Sequence, residues 1–154
     1  MGSFQTEVTI AAPREWVWLA WTQSERITQW FAPEAHIEPR LGGAFELYFT
    51  PSAKEQMSTK GCMITLWEPE ERLSFTWKGP DPFAPIMNHA DSLTYVLVTL
   101  SEAEGATKIT VEHFGWGETE AWEQAKSWHV QAWTQVLSSL KAALEAGEGK
   151  LCCR

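Results

Sequence analysis

The chain has 154 residues, of which 44% are hydrophobic and 21% are charged, a balance typical of one globular domain with its own core. Its formal net charge is −8 at pH 7, and Lys and Arg do not cluster, so we exclude nucleic acid and anionic membrane surfaces as partners. Ten tryptophans raise the aromatic share to 12%, which raises the question of whether these rings only fill a core or also line a cavity.

The distribution of apolar residues and cysteines predicts a location in the cytoplasm. No segment reaches the roughly 20 consecutive apolar residues of a membrane-spanning helix, so we expect no stable membrane insertion. The cysteines are Cys62, Cys152 and Cys153, an odd number with two adjacent members. Because this pattern does not suit a disulfide framework, it favours a reducing compartment.

The beginning of the chain predicts a strand followed by two short helices. Apolar and polar residues alternate over residues 4–10, as in a half-buried strand. Pro13 suits the first turn of a helix that extends to about residue 21. Ser24 can cap a second short helix, which Pro33 ends.

The middle of the chain predicts a series of strands joined by turns. Alternating apolar residues are separated by turn signals such as Gly42-Gly43. Prolines between residues 79 and 89 predict a loop there. The predicted strands cover residues 35–39, 44–49, 57–67, 72–77, 92–100 and 107–114.

The last part of the chain predicts one long amphipathic helix. Thr119 is a candidate N-cap, and apolar residues recur at helical spacing over about seven turns after it. Gly147 ends the predicted helix, and residues 148–154 are expected to form a flexible tail. With no repeat and no linker, residues 1–147 are predicted to form a single domain.

This order of elements predicts an α+β helix-grip fold. Strands connected through short turns form an antiparallel meander, and a sheet of six to seven such strands must curve. The long C-terminal helix can bury its wide apolar stripe against the concave face of that sheet. The two short helices after the first strand would close the open end.

The order of the motifs resembles the START-like, or SRPBCC, helix-grip superfamily over about residues 4–146. The matching stretches are VWLAWT (17–22), ITQWFAP (27–33), LGGAFE (41–46), EPEERL (68–73) and FTW (75–77). Within this superfamily the chain is most similar to bacterial relatives of the C-terminal domain of the heat-shock-protein-90 ATPase activator. The resemblance implies an apolar cavity between sheet and helix, and it leaves the activity open, because such domains include lipid carriers, cyclases, hormone receptors and chaperone activators.

Mostly aromatic side chains on converging faces are the candidate ligand-binding residues. Each can instead be an ordinary core residue, since an aromatic ring buries a large area wherever it packs. The candidates are Phe45, Phe49, Phe75, Trp77, Leu93, Tyr95, His113, Trp116, Trp122, Trp128, His129 and Trp133.

Two of these candidates, His113 and His129, are polar. His113 is in phase with the apolar residues of the last predicted strand, and His129 lies four residues before Trp133 on the helical stripe. If both face inward, the two imidazoles can meet near Tyr95 and form a general acid–base pair. The alternative is that each is a core histidine bonded to backbone or water.

Other kinds of site find little support in the sequence. Zinc requires three or four converging ligands, and the sequence has neither a CxxC nor an HxxxH spacing, so no metal site is predicted. It also lacks the GxSxG turn of a hydrolase nucleophile. No cofactor is expected.

Three functions remain open. The leading hypothesis is a carrier or sensor that binds a small hydrophobic molecule or lipid in the cavity. The first alternative is an aromatase/cyclase-like enzyme with a cavity histidine as its base. The second is a chaperone-binding module, although the chain resembles an isolated domain without the additional domain of a full activator. An exposed Trp16 or Trp18 on the first helix would favour a homodimer.

Overall fold

The computed structural model describes residues 2–145, and a strand, two short helices, further strands and a long helix follow one another there. A single turn of 3₁₀ helix covers Asp81–Phe83. The helices are α1 (Arg14–Thr22), α2 (Ser24–Ile27), α3 (Ala84–Met87) and α4 (Glu120–Glu145). The strands are β1 (Gly2–Ile10), β2 (Glu34–Ile37), β3 (Phe45–Tyr48), β4 (Ile64–Glu68), β5 (Arg72–Trp77), β6 (Thr94–Ala103) and β7 (Ala106–Trp116).

The strands form the curved antiparallel surface that the sequence predicts. Five of them pair in the order β1-β7-β6-β5-β4, and β2 pairs with β3. Isolated bridges, Ala44 with Met63 and Tyr48 with Ser58, connect β3 to the segment that leads into β4. The predicted helix-grip fold is therefore confirmed, with a main sheet of five strands.

Helix α4 supplies the other half of the core. Glu120 and Glu123 lie in its first turn, where their negative charges interact favourably with the positive end of the helix dipole. One face of the helix is buried at a period of three or four residues, as the apolar stripe predicts. The buried side chains of this face are Ala125, His129, Trp133, Leu137, Leu140 and Leu144.

Helix α1 and the segment that follows α2 pack into the core through tryptophans. The rings of Trp21 and Trp30 meet edge to face with centroids 4.8 Å apart, and Trp30 Nε1 donates to the carbonyl of Ala20 at 3.0 Å. Trp18 is buried, and Trp16 is half-buried beneath the guanidinium of Arg26. Neither ring is fully exposed, so the first helix does not offer the exposed tryptophan that would favour a homodimer through this surface.

Two boundaries between residues 50 and 90 differ from the sequence prediction. The strand predicted at 57–67 is shorter, because Met57 and Gly61 adopt positive φ angles of 50° and 91° and the chain turns before β4 begins. The predicted loop at 79–89 contains the 3₁₀ turn and α3, and both begin with a proline in the first turn, where a missing N–H costs little.

Two further predictions concern the C-terminal end of the chain. The helix end predicted at Gly147 and the tail predicted at 148–154 lie outside the described residues. Within residues 2–145, no helix combines the length and the apolar character that crossing a bilayer would need.

Candidate functional site

A pocket of 280 Å³ lies between the end of β5, the segment that follows it, and the middle of α4. Its inner wall is formed by the buried side chains of Trp77, His129 and Trp133. At its rim, Phe49 and Trp128 are 36% and 47% exposed. The remaining lining residues are Phe31, Met57, Ser58, Lys78, Gly79, Pro80, Ala132 and Val136.

The aromatic wall results from three separate parts of the chain that meet at one point. Trp77 is the last residue of β5, Trp133 lies on the buried face of α4, and Phe31 follows α2. The ring centroids of Trp77 and Trp133 are 5.4 Å apart, and those of Phe31 lie 6.0 Å from Trp77 and 5.5 Å from Trp133. These separations fall in the range of favourable aromatic contacts, so the rings support one another around the pocket.

Two histidines accept hydrogen bonds from the tryptophans of this wall. Trp77 Nε1 donates to Nε2 of His129 at 3.2 Å, and Trp133 Nε1 donates to Nδ1 of His113 at 3.0 Å. The other nitrogen of His129, Nδ1, lies 2.8 Å from the carbonyl of Ala125, and Nε2 of His113 lies 2.9 Å from Oγ1 of Thr94. Because an indole only donates, His129 carries its proton on Nδ1 and His113 carries its proton on Nε2.

Burial keeps both imidazoles neutral. Desolvation lowers the pKa of His129 to about 4, although the hydrogen bond to Ala125 opposes the shift. Desolvation also lowers the pKa of His113 well below its usual 6.5, and the charge of a protonated His129 would lower it further. The ring centroids are 5.4 Å apart, so two charged imidazoles would repel each other strongly.

The structure therefore brings the two predicted histidines together, but it commits their nitrogens to protein partners. A general base needs a free lone pair and a pKa near the working pH. The lone pair of each ring accepts from a tryptophan instead, and His113 lies behind the wall. This arrangement matches the alternative of hydrogen-bonded core histidines.

Several of the predicted ligand-binding residues contribute to the core behind the pocket. Phe45 and Phe75 are fully buried and stack with centroids 3.8 Å apart. Trp116 is buried against His113, and Trp122 packs edge to face on Trp116 at 5.9 Å. These four aromatic residues do not line the pocket, whereas Trp77, Phe49, Trp128, His129 and Trp133 do.

The predicted positions of Tyr95 and Leu93 are wrong. Tyr95 is 45% exposed on the outer face of the sheet, where it stacks on Phe114 at 5.1 Å. Val96 is fully buried, so it is the other phase of β6 that faces the core. Leu93 precedes β6, is half-buried and does not line the pocket.

Sequence reasoning missed part of the lining. Ala132 and Val136 lie on the helical stripe that the sequence identified, and Phe31 lies within the ITQWFAP motif, so sequence patterns could have identified these lining residues. Lys78 and Ser58 are polar residues of an irregular region, and no sequence pattern identifies them as lining residues. Among residues 2–145, no group of three His, Cys, Asp or Glu side chains is arranged to hold a metal ion.

The fold and the pocket define a helix-grip protein with an apolar pocket between its sheet and its long helix. Residues 11–145 match the model of the family described as Activator of Hsp90 ATPase homolog 1-like protein. Since this match covers most of the chain, the chain belongs to that family, and the resemblance seen in its sequence is confirmed.

Solved structures show the same fold at low sequence identity. Protein MLL2253 from Mesorhizobium loti has a TM-score of 0.75 and 24% identity, with 96% of this chain and 100% of that chain covered. The solution structure of the Aha1 dimer from Colwellia psychrerythraea has a TM-score of 0.72 and 21% identity, with 97% and 100% covered. A comparison with curated proteins finds no match.

A third similar structure is a longer protein. DynU16, a protein in the dynemicin biosynthetic locus, has a TM-score of 0.66 and 24% identity. The likeness covers 95% of this chain but only 48% of DynU16, so this chain spans about half of that protein. At these identities the likeness concerns the fold alone.

Proposed function

We propose that this protein binds one small, largely apolar molecule in the pocket between β5 and α4. The observation that carries the proposal is a volume of 280 Å³ walled almost entirely by aromatic and aliphatic side chains. An apolar cavity of about 150 Å³ is large enough for benzene, so this pocket has room for about two fused rings or an acyl chain of similar volume. Ligand sites are commonly apolar concavities of this kind.

The expected affinity is moderate. Burial of roughly 250 Å² of apolar ligand surface at about 25 cal/mol per Å² contributes about 6 kcal/mol. Because association also costs translational and rotational freedom, this value is an upper limit on the binding free energy, and the Kd is expected to be no tighter than about 40 µM. Such an affinity suits a carrier or a sensor that must release its ligand. Residues Trp77 and Trp133 are held by His129 and His113, so the wall is preorganised and little entropy is lost on binding.

Isothermal titration calorimetry with 2-naphthol tests this proposal. Ala132→Phe places a ring in the pocket, and Ala142→Phe places the same ring on the exposed face of α4. We expect the wild type and Ala142→Phe to bind 2-naphthol with similar Kd values and Ala132→Phe to lose binding. Circular dichroism confirms that both variants are folded. Equal affinity in all three proteins would contradict the proposed site.

The geometry of the histidines favours binding over the cyclase-like alternative. A base at His129 would first have to give up its hydrogen bond from Trp77, at a pKa of about 4. A chaperone partner is the second alternative, and the description of the family supports it. Sedimentation of the chain with the chaperone distinguishes the two roles, because Ala132→Phe should leave a protein complex intact.

We also infer that the chain can form a homodimer through the outer face of its sheet. Tyr95, Leu97 and Phe114 form an apolar surface there, beside Leu66. The relative from Colwellia psychrerythraea is described as a dimer. Sedimentation equilibrium should show a dimer that Tyr95→Lys weakens, and a monomer at all concentrations would contradict the inference.

A further inference from the structure

The hydrogen-bonding groups of the pocket wall are already engaged. The indole N–H groups of Trp77 and Trp133 donate to histidines. The N–H of Gly79 donates to Oδ1 of Asn88 at 2.8 Å, and its carbonyl accepts from Nδ2 of the same residue at 3.2 Å. The hydroxyl of Ser58 donates to the carbonyl of Lys54 at 2.8 Å. A ligand that placed a polar group against this wall would lose its water without gaining a partner.

Lys78 is the exception among the lining residues. It directly follows Trp77 at the end of β5, is half-buried, and is the one charged side chain in the lining. Within residues 2–145, no hydrogen bond or ion pair engages its ammonium group.

Glu55 is a carboxylate whose pKa the charge of Lys78 affects, and it has a stronger partner. The hydrogen bond from Lys60 is the main reason that the pKa of Glu55 lies below its usual value, and the charge of Lys78 contributes less. Glu55 is therefore held by Lys60 in an ion pair. The ammonium of Lys78 lies 3.6 Å from the position that a Cβ on Gly61 would occupy, next to the segment that contributes Met57 and Ser58 to the lining.

We propose that the ligand is an amphipathic anion, with an apolar body between Trp77 and Trp133 and an acidic group at the rim beside Lys78. This inference rests on the proposed function. The exposed fractions of Phe49 and Trp128 place the rim in contact with water, so the acidic group can keep part of its hydration there. A carboxylate, sulfonate or phosphate has the required charge, and the apolar wall selects its body.

The test compares two ligands of almost the same shape, 2-naphthoate and 2-naphthamide, by isothermal titration calorimetry at pH 7.5. Because both compounds have the same rings, the ratio of their Kd values measures what the negative charge of the ligand contributes to binding, as in a double-mutant cycle. Partly exposed ion pairs contribute modestly, so we expect Lys78→Gln to reduce the preference for naphthoate about threefold to fivefold. Lys78→Arg should restore it.

Lys108→Gln is the matched control, because it also removes one positive charge. Lys108 lies on β7, away from the pocket lining, and pairs with Glu7 on β1. An unchanged ratio in Lys78→Gln, or the same change in Lys108→Gln, would overturn the role of Lys78 while the pocket still binds both compounds. Failure of the wild type to bind either compound would overturn the proposed function as well.

Discussion

Acid should destabilise this protein through the two histidines behind the pocket. The pKa of His129 is lowered to about 4 and that of His113 is lowered well below 6.5, in both cases chiefly by burial. In the unfolded chain each imidazole regains its ordinary pKa near 6.5. The unfolded state therefore binds more protons as the pH falls below that value, and the free energy of unfolding decreases. This stabilising contribution is complete above pH 6.5 and is lost as the pH approaches the native pKa.

The size of the effect follows from the same values. A pH of 5 is about 1.5 units below the pKa of 6.5 of an unfolded imidazole, so the unfolded side chain is mostly protonated. In the folded protein, His129 has a pKa of about 4 and remains mostly neutral at this pH. At about 1.4 kcal/mol per pH unit, His129 costs about 2 kcal/mol of stability between pH 7 and pH 5, and His113 lowers the stability further as the pH falls. His129→Gln removes one of the two contributions and should make the pH dependence about 2 kcal/mol shallower.

Urea unfolding at pH 7, 6 and 5, followed by circular dichroism, measures this change. The quantity compared is the change in the free energy of unfolding between pH 7 and pH 5 within each protein. A loss of stability that is the same at every pH in the variant therefore does not affect the comparison. His89→Gln is the control, because His89 lies exposed beside α3. Equal pH dependence in the wild type and in His129→Gln would show that His129 does not titrate between the folded and unfolded states as its burial requires.

Three further substitutions test other parts of the account. Trp133→Phe leaves Nδ1 of His113 buried without its donor, so it should lower the free energy of urea unfolding by about 3 kcal/mol, and an unchanged midpoint would contradict the hydrogen bond. Gly117→Ala places a Cβ 2.5 Å from the ring of Trp122 and should lower the free energy of urea unfolding by about 1–3 kcal/mol. A variant as stable as the wild type would contradict this close contact. Tyr95→Ala lies on the outer face and should leave the Kd for 2-naphthol unchanged in calorimetry, whereas a large loss would return Tyr95 to the site.

The fold could be predicted because its main signals are local. The period of the buried positions identifies α4, and short turns between alternating strands leave an antiparallel sheet as the surface that covers it. The phase of β6 could not be predicted, because Tyr95 and Leu97 in one phase are about as apolar as Val96 and Val98 in the other. Pairing with β7 and packing on α1 decide which set is buried, and both are long-range contacts.

The site could be predicted only in part for a similar reason. The convergence of Trp77, His129 and Trp133 follows from the fold. The engagement of each histidine by one tryptophan depends on distances of about 3 Å between β5, β7 and α4, which no sequence pattern reports. Lys78 becomes noticeable only when the other polar groups of the pocket are seen to have partners.

The proposed function requires that the pocket holds one small, largely apolar molecule. Native mass spectrometry of freshly purified wild type and Ala132→Phe, followed by denaturing analysis of any released compound, tests it most directly. We expect one additional small-molecule mass per chain in the wild type, either as purified or after incubation with a cell lipid extract, and none in Ala132→Phe. A wild type that shows only the mass of the chain under both conditions would contradict it.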